Sequence, residues 1–161
     1  MPDAQILVRP ATRRDLPVLG RLGALLVRLH HEFDPKRFVA PAANIEAGYA
    51  QFLGSQLGAD DALVLVAERD GAVIGYVYAG IEPFSWKELR DTAGFVHDVV
   101  VDPDARHAGA ASALMEAAAA WVRSKYVANV MLGTAAKNTA AQRLFQRLGF
   151  RATMIEMTRD A

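Results

Sequence analysis

The sequence predicts one α/β domain over residues 1–161, and three observations predict it. A chain of 161 residues suits one domain and is short for two. Strand-length runs rich in β-branched residues alternate with stretches whose apolar residues recur every three or four positions. Two of those runs, Leu63–Glu68 and Ala72–Ala79, flank Asp70-Gly71, a hairpin signal because glycine supplies the positive φ of a tight turn. The order is β-α-α-β-β-β-α-β-α-β, without linker, repeat or low-complexity stretch.

Each element has its own justification. Ile6–Val8 is a short strand. Asp15 is expected to cap a helix reaching about His30, with Pro17 in the first turn, where a missing N–H costs nothing. Leu16, Leu19, Leu22, Leu26 and Leu29 form its apolar stripe, and Asp34-Pro35 interrupts it. Asn44 is expected to cap a second helix carrying Ile45, Tyr49, Phe52 and Leu53. After the hairpin, a loop from Glu82 to Thr92 leads to a strand over Phe95–Val101. Its three consecutive valines suit a strand buried on both faces. A helix from about Gly109 to Ser124, with Trp121 in the core, precedes a strand over Val127–Leu132. Asn138 opens a last helix and Gly149 ends it. Ala152–Met157 is expected to close the chain as a strand.

Composition removes several classes of function. Eighteen basic residues balance eighteen acidic ones, which argues against a protein built to neutralise nucleic-acid phosphates. With no cysteine there is no disulfide, cysteine-ligated zinc or thiol nucleophile. The start shows no apolar stretch of signal-peptide length, and the alanine-rich run Ala108–Ala120 is too short and too broken to span a bilayer. A cytoplasmic setting, with no membrane partner, is the expectation.

The chemically informative stretch is Val99–Ala111, where a buried strand passes through Arg106 and His107 into a helix opening on small residues. A helix start leaves four N–H groups unpaired and carries partial positive charge. Ala108, Gly109, Ala110 and Ala111 let an anion such as a pyrophosphate approach that backbone, and an alanine-rich helix packed tightly on a sheet would read the same way. Arg106-His107-Ala108-Gly109-Ala110-Ala111 fits R/Q-x-x-G-x-G/A, and Asn138–Phe145 with Leu148-Gly149-Phe150 fits N-x-x-A-x-x-[LF]-[YF]…GF. In this order, over Phe95–Phe150, the two motifs resemble those of the GNAT N-acetyltransferase superfamily.

The resemblance implies a mixed, mostly antiparallel central sheet flanked by helices, and acetyl-CoA as cosubstrate with no metal. Backbone groups of Val99 and Val101 would pair with the pantetheine arm as an added strand. N–H groups of His107, Ala108, Gly109, Ala110, Ala111 and Ser112 would hold the pyrophosphate, with Arg106 adding charge. Asn138 would bond the pantetheine, cap its helix, or do both. Phe145 would lie along the cofactor near the sulfur. Many members carry a tyrosine there to protonate the departing thiolate; phenylalanine has no such proton, so water or a tyrosine such as Tyr76 or Tyr78 does that work, or a fairly good leaving group needs none.

The expected base is His97, two residues before Val99 on the same strand face by the two-residue period. Asp98 would face the other way unless a bulge reverses the parity, in which case the two exchange roles. His30, His31, Glu32 and Asp34 have no metal-binding spacing; Glu32, Asp34 and Glu82 would either select a cationic amine or form a solvated face. Trp86 is expected to cover the acceptor cleft. The expected reaction is direct attack of a small primary amine on acetyl-CoA in a ternary complex. A protein N-terminus or lysine is the other acceptor, and a non-catalytic CoA-binding module the rival of another class. A homodimer is allowed by the sequence and not demanded by it.

Overall fold

The computed structural model describes residues 5–106 and 109–161. Five strands form one sheet in sequence order: β1 (Leu7–Pro10), β2 (Ala62–Arg69), β3 (Ala72–Glu82), β4 (Ala93–Val101) and β5 (Val130–Leu132). The first four pair antiparallel, whereas β5 lies parallel to β4. Asp70 and Gly71 both take positive φ, 52° and 79°, as the two-residue turn between β2 and β3 requires.

Four helices cover the sheet: α1 (Leu16–Phe33), α2 (Ile45–Gln56), α3 (Ala110–Ser124) and α4 (Thr139–Arg147). Side chains alternate along each strand, so the core splits in two. Val64, Val66, Tyr76 and Val100 pack with Leu19 and Leu22 of α1 and Leu53 of α2. Leu65, Ala67, Val77 and Val96 pack on the opposite face with Leu114, Met115 and Ala118 of α3 and Phe145 of α4. Half-buried Trp121 joins that second cluster, as its helical spacing predicts.

Three local expectations need correction. Asp15 does not cap α1 through its side chain. It is buried, takes two hydrogen bonds from Arg9 at 2.9 and 3.0 Å, and accepts the Thr12 N–H at 2.7 Å. A buried carboxylate keeps the partner that best offsets its desolvation, here a guanidinium held also by Glu68. Asn44 likewise makes no side-chain cap bond.

The third correction is the last strand. Residues from Arg151 onward form no regular structure, and all are exposed. α4 ends as predicted: the Phe150 N–H reaches the Phe145 carbonyl at 3.0 Å and the Gly149 N–H reaches that of Gln146 at 3.0 Å, with Gly149 at φ 92°. Beyond that point the chain turns away from the sheet. Glu156 pairs with Arg37, and Asp160 with Lys36 at 3.3 Å, so the segment follows the α1–α2 connection and takes no ladder bonds.

Candidate active site

β4 positions the site through two departures from regular pairing. First, it meets β5 only over Gly94–Val96, so from His97 to Val101 it has β3 on one side and no described strand on the other. The Asp102 N–H donates to the Ile74 carbonyl at 2.7 Å, which makes that pair a bonded one. Bonded and non-bonded pairs alternate in an antiparallel ladder. Asp98 and Val100 therefore face β3 with their backbone groups, and Val99 and Val101 direct theirs to the open side.

Second, the β3–β4 register shifts at Tyr78/Ala79, where Asp98 opposes Tyr78 but Val96 opposes Ala79. His97 is the extra residue of a bulge. Val96, Val99 and Val101 all pack toward α3. His97 instead lies against the Tyr78 ring, with centroids 4.9 Å apart, and Tyr78 belongs to the α1–α2 side. The expected shared face of His97 with Val99 and Val101 is thus not found. The bulge turns His97 over, and His97 and Asp98 occupy the same side of the sheet.

On that side the two differ sharply. Asp98 accepts hydrogen bonds from Tyr49 of α2 and, at 2.9 Å, from Tyr76 of β3. Burial pushes its carboxyl above the usual range, and the two phenol donors oppose the shift. Burial and the Asp98 charge also raise both tyrosines, which fixes them as donors. His97 is half-open, stacked on Phe95 with centroids 5.1 Å apart, and its Nε2 stands 3.1 Å from the Glu82 carboxylate. If Nε2 donates to Glu82, Nδ1 is left free to accept a proton. Tyr49 reaches Asp98 because its ring lies over Gly23 of α1, where any Cβ would overlap it.

The helix start stands at the other end of the open stretch. Asp102 ends β4 by accepting the Asp104 N–H at 3.1 Å, and Arg21 binds its other oxygen at 3.0 Å. Both bonds hold its carboxyl below the usual range. Gly109 takes φ 80°, and the first helical bond of α3 runs from the Ala113 N–H to the Gly109 carbonyl. The N–H groups of Ala110, Ala111 and Ser112 accordingly precede the first intrahelical bond. Arg106 is exposed. His107 and Ala108 lie outside the described residues.

Other predicted residues fall elsewhere. The Asn138 side chain caps α4, accepting the Ala141 N–H at 3.2 Å. Phe145 is buried in the α3-side core, edge-on to Phe150. Tyr76 is committed to Asp98, and Tyr78 donates to Gln56 at 3.2 Å. Trp86 is 82% exposed with its ring edge-on to Phe84, so among the described residues it covers no cleft. His30 and His31 each place Nδ1 on a backbone carbonyl, of Leu26 and Phe38. Asp34 accepts the N–H groups of Lys36 and Arg37, shaping its own turn. Tyr49 escaped sequence reading because at helical spacing it counts as a core aromatic; its partner across the sheet carries no sequence signal.

Comparison with known proteins bears on the family and the fold. A mycothiol acetyltransferase of Cellulomonas flavigena is 37% identical over 103 residues, 61% of this chain and 29% of that protein. The chain spans 29% and 30% of the length of the two mycothiol acetyltransferases it matches. A mutant of the BH1408 protein from Bacillus halodurans shares the fold with a TM-score of 0.81 at 19% identity, covering 96% of this chain and 99% of the other. Aminoglycoside N-acetyltransferase AAC(6')-Iy, solved with CoA, has a TM-score of 0.75 at 21% identity over 98% and 95% of the two chains. The acetyltransferase (GNAT) family profile matches residues 26–150. The chain belongs to the acetyltransferase (GNAT) family.

Proposed function

We propose that this chain is an acetyl-CoA-dependent N-acetyltransferase that transfers acetyl to a small-molecule primary amine by direct attack in a ternary complex. The observation that carries the proposal is the open edge of β4 from His97 to Val101, leading to the unpaired N–H groups at the start of α3. An extended amide-bearing arm fits the outward backbone of Val99 and Val101, and a pyrophosphate fits the helix start. Family membership supports that assignment. The relatives named as mycothiol and aminoglycoside acetyltransferases carry small molecules in their names, which supports an acceptor of that size.

In this proposal the neutral amine attacks the thioester carbonyl, the carbon–sulfur bond breaks, and CoA leaves as thiolate. His97 Nδ1 takes the proton that the amine loses, with Glu82 holding the ring by Nε2. The outward N–H of Val99 faces the developing oxyanion. Asp98 acts by position, tying α2 to the bulge through Tyr49. Without cysteine no acyl-cysteine can form, consistent with a single transfer. The setting proposed is cytoplasmic.

A second reading, a CoA-binding module without turnover, draws on Phe145 and on the prior engagement of the Tyr76 and Tyr78 hydroxyls. Thiol release from acetyl-CoA over a panel of small amines, amino-terminal peptides and lysine peptides separates the readings. Turnover confined to small amines is expected. Turnover on peptides alone moves the acceptor to proteins, and cofactor binding without any thiol release leaves the module.

A further inference from the structure

Four rings stand in a row on the α1–α2 side of β4, and the proposed base is one of them. His97 lies between Phe95, stacked at 5.1 Å and 28°, and Tyr78, tilted by 31° at 4.9 Å. Phe52 of α2 then meets Tyr78 edge-on at 5.6 Å. Phe52 is 44% exposed, and Tyr78 and Phe95 are half-buried, so each ring keeps part of its surface in water. One exposed phenylalanine is ordinary on a protein surface. A run of touching rings that contains the proposed base is a surface of defined chemistry.

The polar groups around Tyr78 and Phe52 are already engaged. The Tyr78 hydroxyl donates to Gln56 Oε1 at 3.2 Å, and the Gln56 amide nitrogen donates to Ser55 Oγ at 3.1 Å. What that end of the row offers a ligand is ring surface. Charge gathers at the other end. A Cβ on Gly80 would stand 3.3 Å from the Asp61 carbonyl oxygen, 3.5 Å from His97 Nε2 and 3.8 Å from Glu82 Oε1, so these three groups converge beside Gly80. The partly exposed Glu82 carboxylate meets His97 there at 3.1 Å. The row is acidic at one end and apolar at the other.

We infer that the acceptor is a monoamine carried on an apolar ring, and that Phe52 is a specificity-determining residue for it. The ammonium form is drawn to Glu82 and to the ring faces, both of which attract cations, and the acceptor's ring lies on Phe52 and Tyr78. A second cation at the far end of the acceptor would meet Phe52 and the engaged Gln56, a poor exchange for water. The inference rests on the acetyl-transfer reading and names the acceptor within it.

The test measures thiol release from acetyl-CoA with 3-phenylpropylamine, 1,4-diaminobutane and ethanolamine. Wild type is expected to show its highest kcat/KM with 3-phenylpropylamine. Phe52→Ala, and Phe52→Gln as a second ring-free variant, are expected to raise KM for that amine about ten-fold with kcat nearly kept, the scale of one lost aromatic contact. Phe52→Tyr keeps the ring and is expected to restore KM. Equal or higher kcat/KM with 1,4-diaminobutane or ethanolamine overturns the inference, as does an unchanged KM in the ring-free variants.

Calorimetric titration of 3-phenylpropylamine into the chain with CoA present separates this inference from the reading beneath it. Binding that weakens in Phe52→Ala, without thiol release from any amine, refutes the transfer and supports the row as an amine site. Thiol release from other amines with no such binding keeps the transfer and overturns the apolar acceptor. Neither binding nor release overturns both.

Discussion

At the scale of single residues, the bulge at His97 separates two ionisable neighbours by environment while placing them on one face. His97→Ala is expected to lower turnover by about 10²-fold at saturating acetyl-CoA, within the range of a lost acid–base group, while the cofactor still raises the melting temperature. Unchanged turnover in a steady-state assay removes His97 as the base. Asp98 is read through stability. Its carboxyl is raised by burial, so the folded state binds a proton more readily than the unfolded one, and stability falls as pH rises from the ordinary carboxylate range through the raised value. Asp98→Asn keeps an acceptor for Tyr49 and Tyr76 without the charge. Its stability relative to wild type, from urea melts at several pH values, is expected to rise with pH across that window.

Asp15 has the opposite sign. Arg9 holds it below the usual range, so its contribution is present above the unfolded value and fades as pH falls toward the folded one. Asp15→Ala is expected to cost about 1–2 kcal/mol at neutral pH, through the lost hydrogen bonds from Arg9, which is half-buried and keeps Glu68, and from the Thr12 N–H. This residue also shows the limit of local reading. Its place before Pro17 reads as a cap, and nothing nearby in sequence announces that Arg9 will claim it. His97 shows the same limit: a two-residue period cannot reveal an extra residue whose cause is the pairing of β3 with β4.

At the scale of elements, β4 is the part of the site most legible in the sequence. The valine run, the Asp102-Pro103 stop and the small residues opening α3 each follow from one local rule. The open edge does not, because it depends on where β5 stops pairing. Direction along that edge can be tested with proline, which removes a single N–H. Val99→Pro loses a group that faces the open side and breaks no sheet bond, so the fold is expected to survive and the melting shift with acetyl-CoA to disappear. Val100→Pro loses a bond to β3 and is expected to unfold the chain. Equal cofactor binding in Val99→Pro and wild type would remove the slot. The missing final strand belongs at this scale too: Ala152–Met157 has strand composition, and composition says nothing about whether an edge lies within its reach.

At the scale of the whole molecule, a balanced charge coexists with a locally positive helix start, so overall neutrality says little about an anionic ligand. Acetyl-CoA at about a hundred times its dissociation constant is expected to stabilise the fold by about 2.7 kcal/mol, roughly 5–10 °C in a thermal melt of a domain this size. No shift with acetyl-CoA would refute the cofactor assignment. Among the described residues no helix is long and apolar enough to cross a membrane.

The short β4–β5 contact has one more consequence, for motion. β2, β3 and β4 share long ladders, whereas β5 is joined to the sheet by three residue pairs. Opening that seam breaks few backbone bonds, so amides of β5 should exchange with solvent through a low-energy local excursion while those of β3 wait for global unfolding. A ligand lying in the gap touches both sides and acts as a rivet. The slot proposed for the cofactor is therefore also the line along which the empty molecule is expected to breathe.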